Sequence, residues 1–117
     1  MPAIPPQLFQ GTLDVMILRT LAWGPRHGYA VARWIEEITH HAFVVEDASL
    51  YTALHRLEAR DLVESEWGLS DKGKRAKFYQ LTTAGRKALT VQMSEWAAYA
   101  AAVSLVLQPL QAKAKTA

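Results

Sequence analysis

ASLYTALHRLEARDLVESEWG (residues 48–68) and KRAKFYQLTTAGRKAL (residues 74–89) carry the change of period that decides the fold. In the first stretch Leu50, Leu54 and Leu57 recur at helical spacing, with Ala53 beside them. Asp47, just upstream, is a good N-cap, so a helix is expected to begin there. Beyond Leu62 the period drops to that of a strand: Val63, Ser65 and Trp67 alternate with Glu64 and Glu66. Residues 68–73, with glycine at each end, read as a turn. Residues 77–81 read as the returning strand, where Phe78 and Tyr79 supply β propensity and Thr82 ends the run. Lys72, Lys74, Arg75 and Lys77 crowd four positive charges between these strands, opposed by Asp71 alone.

Upstream, residues 10–23 form a helical pattern. Leu13, Met16, Ile17, Thr20 and Leu21 share one face, while Val15 and Leu18 fill another. A helix apolar on most sides is buried on most sides, and a second subunit is one source of that cover. Gly24-Pro25 stops it. A second helix is expected over residues 27–39, with Gly28, Val31, Ile35 and Ile38 inward and Arg33, Glu36 and Glu37 outward. Phe43-Val44-Val45 then suggests a short extended piece. Downstream, a last helix should run from Thr83 to Gln108, where Pro109 ends it. Leu89, Met93, Trp96, Ala100, Val103 and Leu107 alternate spacings of four and three along it, which is a heptad seam. A second copy of the chain is the natural partner for that seam.

Composition bounds the rest. At 117 residues the chain is expected to be one domain, divided into a flexible arm (1–9), a unit of three helices and a hairpin (10–82), a long last helix (83–108) and a flexible tail (109–117). It is 50% apolar and 21% charged, ordinary for a globular chain. A domain this small buries only about two thirds of its unfolded surface, so dimerisation is expected from size as well. No cysteine is present, which excludes a disulfide framework, a thiolate metal site and a cysteine nucleophile. The longest apolar stretch, residues 96–107, is too short to span a membrane. MPAIPPQLFQ lacks the basic start and apolar run of a signal peptide, and a cytoplasmic location is expected.

Three helices, a hairpin and a final long helix describe a mainly α fold with a small β-hairpin: a winged helix-turn-helix with an appended dimerisation helix. The third helix would enter the major groove of double-stranded DNA, and the hairpin would be the wing. At about 100° per residue, Ala48, Thr52 and His55 point away from the leucines, with Tyr51 and Arg56 at their flanks. That face is small, polar and free of acid, as a groove-reading helix requires. Lys72, Lys74, Arg75 and Lys77 suit phosphates. The candidate DNA contacts are therefore Ser49, Tyr51, Thr52, His55 and Arg56 on the helix, the four wing cations, and Tyr29 near the start of the second helix.

At these residues the chain resembles a short PadR-type transcriptional regulator. The resemblance runs through GTLDVMILRTL (11–21), GPRHGYAVARWIE (24–36) and the two stretches quoted first, over roughly residues 10–107. SLYTALHRLE followed by RAKFYQLTTAGR is its specific part. The family commonly has proline after the tyrosine of SLY, where this chain has Thr52, a difference at the start of the groove-facing helix. The resemblance implies a homodimeric winged-helix regulator, often a repressor, released from DNA by a small molecule or other signal. It favours Tyr51 as a phosphate contact over a base reader. It also implies that a tryptophan on the last helix lines an inter-subunit cavity for a planar ligand. Met93, Trp96 and Ala100 are the corresponding ligand candidates, with a small aromatic effector as partner.

Each reading has a plainer counterpart. The third helix's outer face and the wing's charge run would both serve as solvated surface. Tyr29 would serve as core, Arg56 would pair with Glu58 or Asp61, and Trp96 would be a seam residue. His27, His40, His41 and His55 raise a metal site, but no HxxxH pair accompanies them, and neither metal nor cofactor is expected. Asp47, Ser49 and His55 have the residue types of a triad at spacings that do not align them, so no catalytic residue is assigned. The rival from another class is a winged-helix protein-interaction module.

Overall fold

A computed structural model describes residues 11–109. The arm expected over 1–9, and the tail beyond Pro109, lie outside the described residues. The elements in order are α1 (Leu13–Leu21), β1 (Arg26–His27), α2 (Gly28–Ile38), α3 (Asp47–Ala59), β2 (Val63–Leu69), β3 (Arg75–Leu81) and α4 (Thr83–Leu107). This is a winged helix-turn-helix followed by a long C-terminal helix.

α1 is the central element. Ile17, Leu18, Thr20 and Leu21 are at most 1% exposed, covered by α2, α3, α4 and β3. The second covering surface that the sequence suggested from a partner subunit is thus supplied within the chain. Thr20 tolerates burial because its hydroxyl donates to the Met16 carbonyl (2.9 Å). Gly24, at φ 131°, ends the segment in a conformation closed to other residues.

α2 is one residue shorter at each end than the expected 27–39, with His27 and Thr39 in its cap positions. The His27 Nδ1 accepts from the Ala30 amide (3.3 Å) and caps the helix. Two side chains depart from the expected faces. Ile38 is 59% exposed, because α2 ends there. Glu36 is buried, because its Oε2 accepts from the Val45 amide (2.9 Å) and its other oxygen pairs with Arg33. Glu36 thereby fastens the segment between α2 and α3, where Phe43, Val44 and Val45 form no strand. Asp47 is already helical and Glu46 takes the cap position without a side-chain cap bond.

The sheet has three antiparallel strands in the order β1-β3-β2. Two residues carry no readable period, so β1 has no signal in the sequence. The hairpin strands extend further toward the tip than periodicity indicates, and the connecting turn is residues 70–74. Arg75 therefore belongs to β3, not to the turn, and Lys77 lies within β3 as expected.

α4 begins where expected. Thr82 caps it by accepting from the Gly85 amide (2.9 Å), and its hydroxyl also donates to the Asp61 carbonyl (2.7 Å). Only Gly85 and Leu89 of this helix are buried. The rest leaves the core, giving extents of 63 × 30 × 21 Å and a radius of gyration of 17.3 Å, against about 13 Å for a compact domain of this length.

Candidate nucleic-acid interface

α3 buries Leu50, Ala53, Leu54 and Leu57 and exposes Ala48, Ser49, Tyr51, Thr52, His55 and Arg56. The candidate contact residues of this helix thus share its outward side. Their environments differ. Ser49, Thr52 and His55 are open to solvent. Tyr51 is 38% exposed because its ring rests on the start of α2: a Cβ built on Gly28 would lie 2.8 Å from its Cε1 and Oη. The Arg56 guanidinium hydrogen-bonds Asp14 of α1, not Glu58 or Asp61, and that bond holds its pKa above the ordinary arginine value. Local spacing gives no hint of Asp14, since residues 42 apart in sequence meet only once the helices pack.

Tyr29 is exposed, not core. Its ring stacks at 6.4 Å on His27 and lies 5.0 Å under the Arg33 guanidinium carbon.

The wing's cations divide into two groups. Lys72 and Lys74 sit in the turn, exposed, around Gly73 at φ 75°. Arg75 and Lys77 sit in β3 on the side of the sheet that faces α3. The Lys77 Nζ is 4.0 Å from Glu58 Oε1 of α3, and the Ser65 Oγ donates to the other Glu58 oxygen (2.6 Å). These contacts tie the wing to α3. Tyr79, 1% exposed, lies beneath them. Burial, with the negative charge of Glu58 and the neighbouring Tyr51, raises its hydroxyl pKa above the usual value.

Trp67 joins the site although sequence reasoning did not place it there. It is 58% exposed although its strand position alternates with the glutamates, and Arg75 lies 4.4 Å above its ring. One signal for it does exist in the sequence: an indole beside a hairpin turn is beyond the reach of the helical core.

On α4, Leu89 is buried, Ala100 is half-buried, and Met93, Trp96, Val103 and Leu107 are exposed. Trp96 is followed by Ala97, Ala98, Ala100, Ala101 and Ala102 and has an aromatic neighbour as well. Tyr99 lies 6.2 Å away, tilted by 34°. Among the described residues no group of three His, Cys, Asp or Glu side chains could hold a metal ion, and no helix is long and apolar enough to cross a membrane.

An exposed, acid-poor helix packed beside a basic hairpin is the arrangement of a winged helix-turn-helix protein. The model of the transcriptional regulator PadR-like family matches residues 17–91. The chain belongs to that family. It is 33% identical over 105 residues to an uncharacterised protein X from Lysinibacillus sphaericus, covering 89% of this chain and 95% of that one. It is 43% identical over 58 residues to the transcriptional regulator Rv3488 from Mycobacterium tuberculosis, covering 49% and 53% of the two chains. A solved transcriptional regulator from Clostridium thermocellum superposes with a TM-score of 0.80 at 26% identity, over 87% of this chain and 99% of that one. The chain is accordingly a DNA-binding transcriptional regulator and not an enzyme.

Proposed function

We propose that the chain acts as a homodimeric repressor that holds a pseudo-palindromic operator with α3 and the wing. The observation that carries the reading is the bracing of Lys77 and Ser65 against Glu58 of α3. It makes the helix face of Ser49, Tyr51, Thr52 and His55 and the basic hairpin one surface of fixed shape. Thr52 and His55 are the candidates to read bases. Tyr51, Tyr29, Lys72, Lys74, Arg75 and Lys77 suit phosphates. Arg56 joins them only by giving up Asp14, and Lys77 only by turning from Glu58, which Ser65 still holds.

Dimerisation follows from α4. Met93, Trp96, Val103 and Leu107 are 42%, 49%, 37% and 74% exposed on a helix that leaves its own core. An apolar seam of this kind is covered by an equivalent helix of a second copy. Two copies present two α3 helices, which places half-sites about one helical turn apart. Trp96 and Tyr99 near that seam suit a planar, apolar effector between the subunits. A ligand preferring one subunit spacing would lower operator affinity, and DNA would lower ligand affinity by the same factor, roughly 5–150-fold.

Selection of sites from random duplex DNA, followed by footprinting, tests this reading. A pseudo-palindrome with half-sites one turn apart is the expected product, and recovery of no preferred sequence rejects the operator. Replacing Lys72 or Lys74 by alanine should lower the log–log salt slope of binding by about 0.9 for each phosphate left without its cation. An unchanged slope removes the turn from the interface.

A further inference from the structure

The register of the sheet sorts the side chains of the wing onto two unlike faces. Paired residues in an antiparallel sheet share a face, and successive residues alternate between faces. The pairs Arg26↔Tyr79, Trp67↔Lys77 and Leu69↔Arg75 therefore line one face. Glu64↔Gln80 and Glu66↔Phe78 line the other, beside a cavity of about 230 Å³ that Pro25 helps to enclose. All three Lys and Arg residues of the strands fall on the first face and both carboxylates on the second.

Toward the core the first face is packed, with Tyr79 at 1% and Leu81 at 7% exposure. Toward the tip nothing among the described residues covers it, and Trp67 and Leu69 are 58% and 71% exposed. The Arg75 guanidinium carbon lies 4.4 Å over the indole, which fixes where that charge is presented. Apolar and cationic groups thus alternate over a short distance. The chemistry that matches is a surface where C–H edges alternate with negative charge, as deoxyribose alternates with phosphate along DNA. The hydrogen bond from Ser65 and the ion pair of Lys77, both to Glu58, set this face, and not the acidic one, beside α3.

Resting on the DNA-binding reading above, we infer that the wing lies on the duplex through this whole face and not by its tip alone. Trp67 and Leu69 pack on the sugars, and Arg75, held against the indole, meets the adjoining phosphate.

The test uses the full chain carrying 5-fluorotryptophan, with the Trp67 resonance assigned by Trp67→Phe. The probe is a mixed-sequence duplex of about 20 base pairs, two helical turns. On adding the duplex the Trp67 fluorine signal should shift in a saturable way, while that of the half-buried Trp34 stays in place. Trp67→Ala and Leu69→Ala should each weaken binding about fivefold to tenfold, the worth of one cation–π or apolar interaction at a partly exposed site. Glu64→Gln and Glu66→Gln, on the far face, should change it less than about twofold at physiological salt, where the screening length is about 8 Å. Wild-type binding with an unmoved Trp67 signal overturns this inference and leaves the DNA reading standing, and the signal reports this even if the alanine variants do not fold. Absence of wild-type binding to any duplex at low salt overturns both. A Trp67 signal that moves with anionic phosphatidylglycerol vesicles and not with duplex also overturns it, in favour of a lipid surface.

Discussion

Gly28 at the start of α2 and Tyr51 of α3 are in contact, and a single carbon atom decides how close that contact is. A Cβ at residue 28 would stand 2.8–2.9 Å from three atoms of the Tyr51 ring. Gly28→Ala should push Tyr51 out of place at a cost of about 1–3 kcal/mol, read as a lower urea midpoint, and should weaken DNA binding along with it. Retention of both wild-type values would show that the ring shifts freely. Tyr79 is the second sensitive position. Its hydroxyl pKa is raised, first by burial and then by Glu58 and Tyr51, so the folded state favours the neutral phenol. The unfolded chain ionises it at about 10. The stability this residue contributes is therefore complete below that pH, and falls as pH climbs from there through the raised folded value. Alkaline titration followed by tyrosinate absorbance should show one tyrosine ionising after the others, and Tyr79→Phe should abolish that step. Neither Gly28 nor Tyr79 is marked out by sequence, since a glycine at the start of a helix and an aromatic in a strand are common. Tyr51 and the Arg56–Asp14 bond show the same division. Helical spacing puts both Tyr51 and Arg56 on the right face, but their partners belong to other elements.

Among the elements, α4 is the one whose seating is most exposed to test. Its first turn lies hard against the residue before β2: a Cβ on Gly85 would fall 1.9 Å from the Leu62 carbonyl oxygen. Gly85→Ala cannot be absorbed without lifting the helix, and should destabilise the fold by more than about 3 kcal/mol, the upper end for overpacking. Thr82→Ala, which removes a cap and a bond to Asp61, should cost about 1 kcal/mol. Urea melts of the two variants should differ in that order, and equal midpoints would mean that the helix start is loosely held. The four helices are legible because 3.6-residue periodicity survives over nine residues or more. The hairpin is legible by its alternation, but its tip is not. Past Trp67 and before Lys77 the strands leave the core, so side-chain alternation no longer reports burial. Backbone pairing alone carries them on to Leu69 and Arg75. β1 is illegible for a related reason: its two residues are placed by pairing with β3 and have no pattern of their own.

For the whole molecule, the elongated shape leaves the apolar surface of α4 uncovered by the described residues. Changing Val103 and Leu107 to Asp introduces charge into the proposed seam. The double variant should sediment as a monomer or lose its cooperative melt, while the wild-type chain sediments as a dimer at micromolar concentration. A stable wild-type monomer under those conditions would remove the second copy from the proposal.

The order of the four helices and the hairpin, the identity of the third helix as the outward, acid-poor one, the basic hairpin and the heptad spacing along the last helix were all written in the sequence. Each depends on local periodicity or on charge within a few residues, and such signals need no knowledge of packing. Tertiary structure alone decided that α1 is covered from within the chain, that Glu36 is buried, that Arg56 is tied to Asp14, and that Arg75 stands over Trp67. Those outcomes depend on which side chains meet across elements, and on how far each strand runs past the core. Neither quantity has a period, so neither can be read along one dimension.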